Sequence, residues 1–209
     1  MYLYFNNFGI SLLPLGVLIL AIVIVICWKQ GKSLSYLLFL SFFGVYLLLG
    51  IDKVFFPLEV SGPYVDEMRQ MPMLVFINIR PVFLALDDVS SALVKQLVSN
   101  VILTLPFGFG LNFLTRVGTR KIFVISIALG VGLEMAQLFL SLILRYPYRV
   151  IDINDALCNT VGVLLGYGLF KLFVHFYLAL TEDFEGEKRG LMLYLDNVTH
   201  QTEKLKSGD

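Results

Sequence analysis

The sequence predicts an all-α integral membrane protein: a bundle of about five transmembrane helices, N-terminus outside and C-terminus cytoplasmic, with an interfacial segment on the outer face. Three observations carry this. The 209 residues are 57% hydrophobic and only 15% charged, with a mean hydropathy of +0.80, so too little polar surface exists to cover the core in water. Five stretches are apolar enough to cross about 30 Å of hydrocarbon, which takes roughly 17 to 25 helical residues. Finally, the short connectors between them carry basic clusters, which favour the cytoplasmic side.

Span one covers residues 10–28. No basic residue precedes it and its apolar run exceeds a signal-peptide h-region, so it is expected to stay attached. Span two covers 34–51, and the KQGK connector before it places Lys29 and Lys32 in the cytoplasm. Residues 1–55 thus form a unit of two N-terminal helices. The outer-face segment 56–96 is dense in apolar residues, among them Met71, Leu74, Phe76, Ile77, Val82, Phe83 and Leu84, so it should lie on or dip into the interface. Val89, Leu93, Val94 and Leu97 share one helical stripe, which reads as an interfacial helix running into span three; a re-entrant hairpin is the rival reading. Spans three, four and five cover 97–114, 122–144 and 156–178, and residues 76–178 form the core of the fold. The TRVGTRK connector puts Arg116, Arg120 and Lys121 inside, whereas Arg145 and Arg149 in the outer connector oppose this orientation with a sparser charge. Residues 179–209 begin with Glu182, Asp183, Glu185, Glu187, Lys188 and Arg189 and read as a solvated cytoplasmic tail with at most a short helix.

Charge and cysteine content exclude several functions. Sixteen basic residues balance sixteen acidic ones, so no basic field exists to attract nucleic acid. Cys27 and Cys158 fall at opposite membrane faces and lack neighbours at metal-ligand spacing, so neither a disulfide, a metal site nor a cofactor is expected.

The polar residues inside the spans are the candidate functional positions. Glu134 lies ten residues before the end of span four, about 15 Å deep, where a carboxylate must be protonated or paired. Gln137 sits one turn nearer the surface on the same face. In RVIDINDALCNTVGVLLGYG, the residues Asp152, Asp155, Asn159, Gly162 and Gly166 form one stripe, with Asp155 as cap or first-turn acid of span five. Gly162 and Gly166 form GxxxG, and counting from equal helix ends puts them level with Gln137 and Glu134 at about 10 and 16 Å, so spans four and five should meet there. Span three adds Asn100 about 5 Å down, then Pro106 and Gly108 at about 14 to 16 Å. Pro106 should kink the helix and free the carbonyl of Ile102, for which a protonated Glu134 or the Thr104 hydroxyl is a candidate donor.

The stretches NVILTLPFG from Asn100, EMAQ from Glu134 and RVIDINDALCNTVGVLLG from Arg149 resemble the VanZ-like family, whose pattern runs N, PFG, ExxQ, RxxDxxDxxxNxxGxxxG. FINIRPVF from Phe76 is similar to the family's NLIPF element, with Arg80 where an apolar residue is usual. The resemblance spans about 78–170. It implies that Asn78, Pro81, Asn100, Pro106, Gly108, Glu134, Gln137, Arg149, Asp152, Asp155, Asn159, Gly162 and Gly166 are characteristic positions. It also implies a multi-pass protein of the bacterial cell membrane in a cell-envelope context, the family being named from an accessory protein associated with resistance to teicoplanin. No reaction comes with the pattern.

Three functions are in play. The first is an envelope protein binding a lipid-linked or amphipathic ligand near the outer leaflet, with membrane lipids, a lipid-linked envelope precursor or a lipoglycopeptide as partner. The polar stripe narrowing from Arg149, Asp152 and Asp155 through Asn100 and Asn159 to Gln137 and Glu134 supports it, and Arg149 would either fork onto a phosphate or pair with Asp152 at i+3. The second is an intramembrane enzyme using Glu134 and Asp152 as acid and base. It ranks lower because no nucleophile triad, metal set or nucleotide loop accompanies them, and catalytic residues stay unassigned. Third comes a transporter gated by Glu134 protonation, which lacks the repeated halves such proteins show.

Overall fold

The computed structural model describes residues 9–10, 12–82, 90–184 and 186–207. Apolar sequence dictates long helices here, because a backbone inside hydrocarbon must satisfy its own polar groups. Four helices are long and apolar enough to cross a membrane: α2 (Leu34–Phe55), α4 (Ser91–Leu114), α5 (Thr119–Leu144) and α6 (Ile153–Thr181). The fifth expected span, α1 (Leu13–Lys29), is apolar but shorter, 17 residues or about 26 Å. It lies against α2, with Gly16 against Leu48 and Gly44 against Leu20. The all-α membrane bundle expected from composition is therefore the observed architecture.

The 56–82 segment is folded rather than extended over the surface. A two-residue strand β1 (Gly9–Ile10) pairs antiparallel with β2 (Leu58–Glu59). After α3 (Pro63–Met68) and a 3₁₀ turn at Met73–Phe76, strand β3 (Ile77–Asn78) pairs in parallel with β4 (Ile151–Asp152), in the register Ile77↔Ile151 and Asn78↔Asp152. These pairs gather the N-terminal strand, the 56–82 segment and the α5–α6 connector at one end of the bundle. The interfacial helix expected from residue 87 is, from Ser91 onward, continuous with the third span; Ser90 caps it by accepting from the Leu93 amide. Phe83, Leu84 and 87–89, on which the rest of that reading fell, lie outside the described residues.

At the other end lie the α1–α2 and α4–α5 turns. Here the expected solvated tail instead forms an 18-residue helix, α7 (Gly190–Ser207), docked on the bundle. Tyr194 stacks on Phe39 and donates its hydroxyl to the Phe113 carbonyl. The buried core occupies this half, where Phe113, Ile122, Val163, Tyr167 and Phe170 meet between α4, α5 and α6.

Helix α6 is central. It runs parallel to α4 and antiparallel to α5, and the α4–α6 seam is the closest in the molecule. A Cβ on Gly166 would fall 1.9 Å from the Leu105 carbonyl, one on Gly162 would fall 2.4 Å from the Val101 carbonyl, and one on Gly108 would fall 1.9 Å from that of Val163. The GxxxG face therefore receives α4, not Glu134 and Gln137 on α5. Against α5, the close approach is at Gly130, whose added Cβ would meet the Ala156 carbonyl at 2.3 Å.

Candidate functional site

The position of Glu134 follows from how α5 ends and α6 begins. Helix α5 stops at Arg145, which takes the left-handed conformation (φ 59°) while the Arg145 and Tyr146 amides donate back to Leu142 and Ser141. The connector then descends along α5 until the backbone amide of Asp152 donates to Glu134 Oε2 at 2.9 Å. Glu134 is thus about 15 Å from the end of its own helix but level with the first residue of α6. Equal helix ends, the assumption behind the expected depth matching, do not hold. Glu134 and Asp152 are 5% and 6% exposed, and each buried oxygen needs a donor.

Asp152 is the N-cap of α6: its Oδ1 accepts from the Asn154 amide at 2.8 Å. The same oxygen accepts from Asn154 Nδ2 at 2.8 Å, and Oδ2 accepts from Asn78 Nδ2 at 3.1 Å. Asn154 fastens the 77–82 segment in turn: its Oδ1 accepts from the Val82 amide at 2.7 Å and its Nδ2 donates to the Arg80 carbonyl at 3.1 Å. Asp155, in the first turn of α6, accepts from Gln96 Nε2 at 2.9 and 3.0 Å. One network therefore joins Asn78, Glu134, Asp152 and Asn154 across β3, α5, β4 and α6, with Asp155 tying α6 to α4.

Asn100 and Asn159 lie further along the α4–α6 seam, bridged by Thr104, whose hydroxyl is 3.0 Å from the Asn100 carbonyl and 2.8 Å from that of Asn159. The Asn100 amide faces the Asp155 carboxylate, while Asn159 Oδ1 is buried with no hydrogen-bond partner among the described residues. Tyr148 Oη in the connector is another such atom, as are Glu59 Oε2, Asn112 Nδ2 and Ser141 Oγ. Burial pushes the Tyr148 phenol up to about 12, against the opposing charge of Arg149 and with Tyr146 and Glu134 adding to the rise, so it remains a donor at neutral pH.

Other expected members sit elsewhere. Gln137 faces α2, its Nε2 reaching the Val54 carbonyl only at 3.5 Å. Arg149 is exposed and makes no ion pair with Asp152, because that carboxylate is filled by Asn78 and Asn154; Arg80 is exposed as well, and neither has an ion-pair partner among the described residues. Pro106 is exposed on the α2 side of α4, and Glu134 is not the donor for Ile102, its Oε2 being taken by Asp152. Thr104 bonds other carbonyls, and Tyr46 donates to the next one, Leu103, at 2.7 Å. Sequence reasoning missed Asn154, which lies off the Asp152–Asp155–Asn159 stripe; its placement two residues after an acidic helix cap was the available signal. Gln96 and Tyr148 carried no such signal.

The VanZ/LLP1 family model matches residues 42–174, almost two thirds of the chain and reaching back into α2, beyond the motifs that carried the resemblance. No curated protein and no solved structure matches the chain. The matched range holds α4, α5, α6 as far as residue 174 and every residue of the Asn78–Glu134–Asp152–Asn154 network, and on that match the chain belongs to the VanZ/LLP1 family.

Proposed function

We propose that this VanZ-like protein is a multi-pass protein of the bacterial cell membrane that binds a lipid-linked or amphipathic ligand at the outer leaflet and thereby affects susceptibility to teicoplanin. The observation that carries the reading is the pair of buried atoms without partners among the described residues, Asn159 Oδ1 and Tyr148 Oη, at the end of the bundle that holds the carboxylate network. An unmatched buried polar atom costs about 1–3 kcal/mol, so such atoms near the network favour a bound polar group. The 77–82 segment beside the network carries exposed apolar surface: Leu74 just before it and Ile79 within it are 79% and 77% exposed, and the exposed guanidinium of Arg80 follows directly. A polar head held inside, with a hydrocarbon tail leaving over Leu74 and Ile79, matches both features. The basic α1–α2 and α4–α5 turns favour the cytoplasmic side and so support an outer-leaflet position for the opposite, network-bearing end.

The enzyme reading has less support, since Glu134 Oε2 and both Asp152 oxygens are spent on backbone and asparagine donors. The test is an Asn100→Leu, Asn159→Leu double variant purified in mild detergent with a polyprenyl phosphate as probe. In a double variant that remains folded, probe retention by mass spectrometry should fall at least tenfold and teicoplanin susceptibility should change. Undiminished probe retention in a folded double variant refutes the reading.

A further inference from the structure

We infer that the membrane-facing groove between α2 and α4 is a separate binding site for an anionic phospholipid. A cavity of about 510 Å³ opens sideways there, walled by Phe42, Val45, Leu49, Ile102 and Pro106. Tyr46 also lines it, but its hydroxyl proton is already donated to the Leu103 carbonyl at 2.7 Å, so the wall makes no polar demand on a hydrocarbon chain. Gly50, which carries no side chain, leaves room on the α2 wall of the groove, and Pro106 inside α4 lines the facing wall. From Phe42 to Lys53 it runs eleven residues, about 16 Å, close to half of a bilayer's hydrocarbon thickness and so the reach of one acyl chain in one leaflet.

Charge commits the occupant. The polar end of the groove is formed by Lys53 and Ser99. Lys95 stands one helical turn before Ser99 on the same face of α4, extending the stripe that Ser99, Ile102 and Pro106 define. Both lysines are exposed, and among the described residues neither makes an ion pair. The nearby Asp155 carboxylate is taken by Gln96. Two free ammonium groups and a hydroxyl above an apolar slot complement a phosphodiester head over its chain, and a zwitterionic head with its own trimethylammonium is the poorer match. This site uses α2 and the opposite face of α4 from the glycine seam, so it is independent of the polar network around Glu134.

The test is native mass spectrometry of the full chain in detergent micelles holding equal phosphatidylglycerol and phosphatidylcholine. The wild-type chain should retain phosphatidylglycerol in preference, and Lys53→Ala and Lys95→Ala should each weaken it about fivefold, near the value of one lysine at a lipid surface. Gly50→Leu should block retention, because an added Cβ there meets only Leu103 Cδ1 at 3.9 Å and a leucine would grow into the slot. Asn100→Leu with Asn159→Leu, which tests the polar network, should not alter it. Equal retention of the two lipids, or phosphatidylglycerol retention unchanged in the double lysine variant, overturns the proposal. Should Gly50→Leu not fold, the lysine variants, whose side chains are exposed, decide alone.

Discussion

Gly166→Ala, like Gly108→Ala across the same seam, should be among the most damaging single-methyl changes in this protein, and the structure allows the effect to be sized. The new Cβ would fall 1.9 Å from the Leu105 carbonyl oxygen, whereas ordinary contact begins at 3.4 Å, so the two backbones must separate by about 1.5 Å. The obstacle is main chain and cannot rotate aside. A gap of even 0.5–1 Å forfeits about a quarter to a half of each dispersion contact along the seam. The cost therefore falls at or above the top of the usual overpacking range, about 3 kcal/mol. For a chain of this size that is a fall in melting temperature of about 6–12 °C. Fluorescence-detected size exclusion after heating, in one detergent, would measure it. The internal control is Gly168→Ala, two residues away on the same helix, where an added Cβ meets nothing within 4 Å. It should be neutral or slightly stabilising, since alanine is the better helix former. If Gly166→Ala melts within about 2 °C of wild type, or Gly168→Ala falls as far, the α4–α6 seam is not as described.

Three further outcomes are expected. Glu134→Leu leaves the Asp152 amide buried without an acceptor and should cost about 1–3 kcal/mol, whereas Glu134→Gln retains an acceptor and should melt near wild type; equal melting of the two variants would remove the amide bond from the account. Tyr194→Ala removes the Phe39 stack and the bond to the Phe113 carbonyl, together worth about 1–3 kcal/mol, and should speed protease cleavage between α6 and α7, with unchanged cleavage as the contrary result. In a chain with Cys27 and Cys158 replaced by serine, single cysteines at Ser61 and Arg149 should label with an impermeant thiol reagent in intact cells and ones at Lys32 and Gly118 should not; the reverse pattern would turn the bundle over.

The helices were legible because hydrophobic runs have no other fate in lipid, and the acidic start of α6 was legible because Asp152 and Asp155 have the cap and first-turn chemistry that a helix N-terminus demands. The partners of those helices were not. Hydropathy reports where a helix enters hydrocarbon but neither the relative height of two helices nor which face each turns to its neighbour: α5 overruns the start of α6 by about ten residues, and α6 turns Gly162 and Gly166 to α4. Asn154 was missed because its partners, Arg80 and Val82, are more than seventy residues away in the chain. The docking of α7 was written in the sequence as Tyr194, Leu195 and Val198, spaced for one helical face, but the surrounding charges masked it.

The parallel pairing of Ile77 with Ile151 bears on how the protein is made. Parallel neighbours cannot be joined by a hairpin, and here the crossover is two whole transmembrane helices, α4 and α5. A ribosome adding about 5–20 residues each second leaves Ile77 and Asn78 without their partner for about 4–15 s after they are synthesised. Throughout that interval the first of these strands presents open edges to any extended chain nearby. The clasp closes only when the α5–α6 connector emerges, so a nascent chain arrested before residue 151 would hold its membrane helices with the cap unfastened.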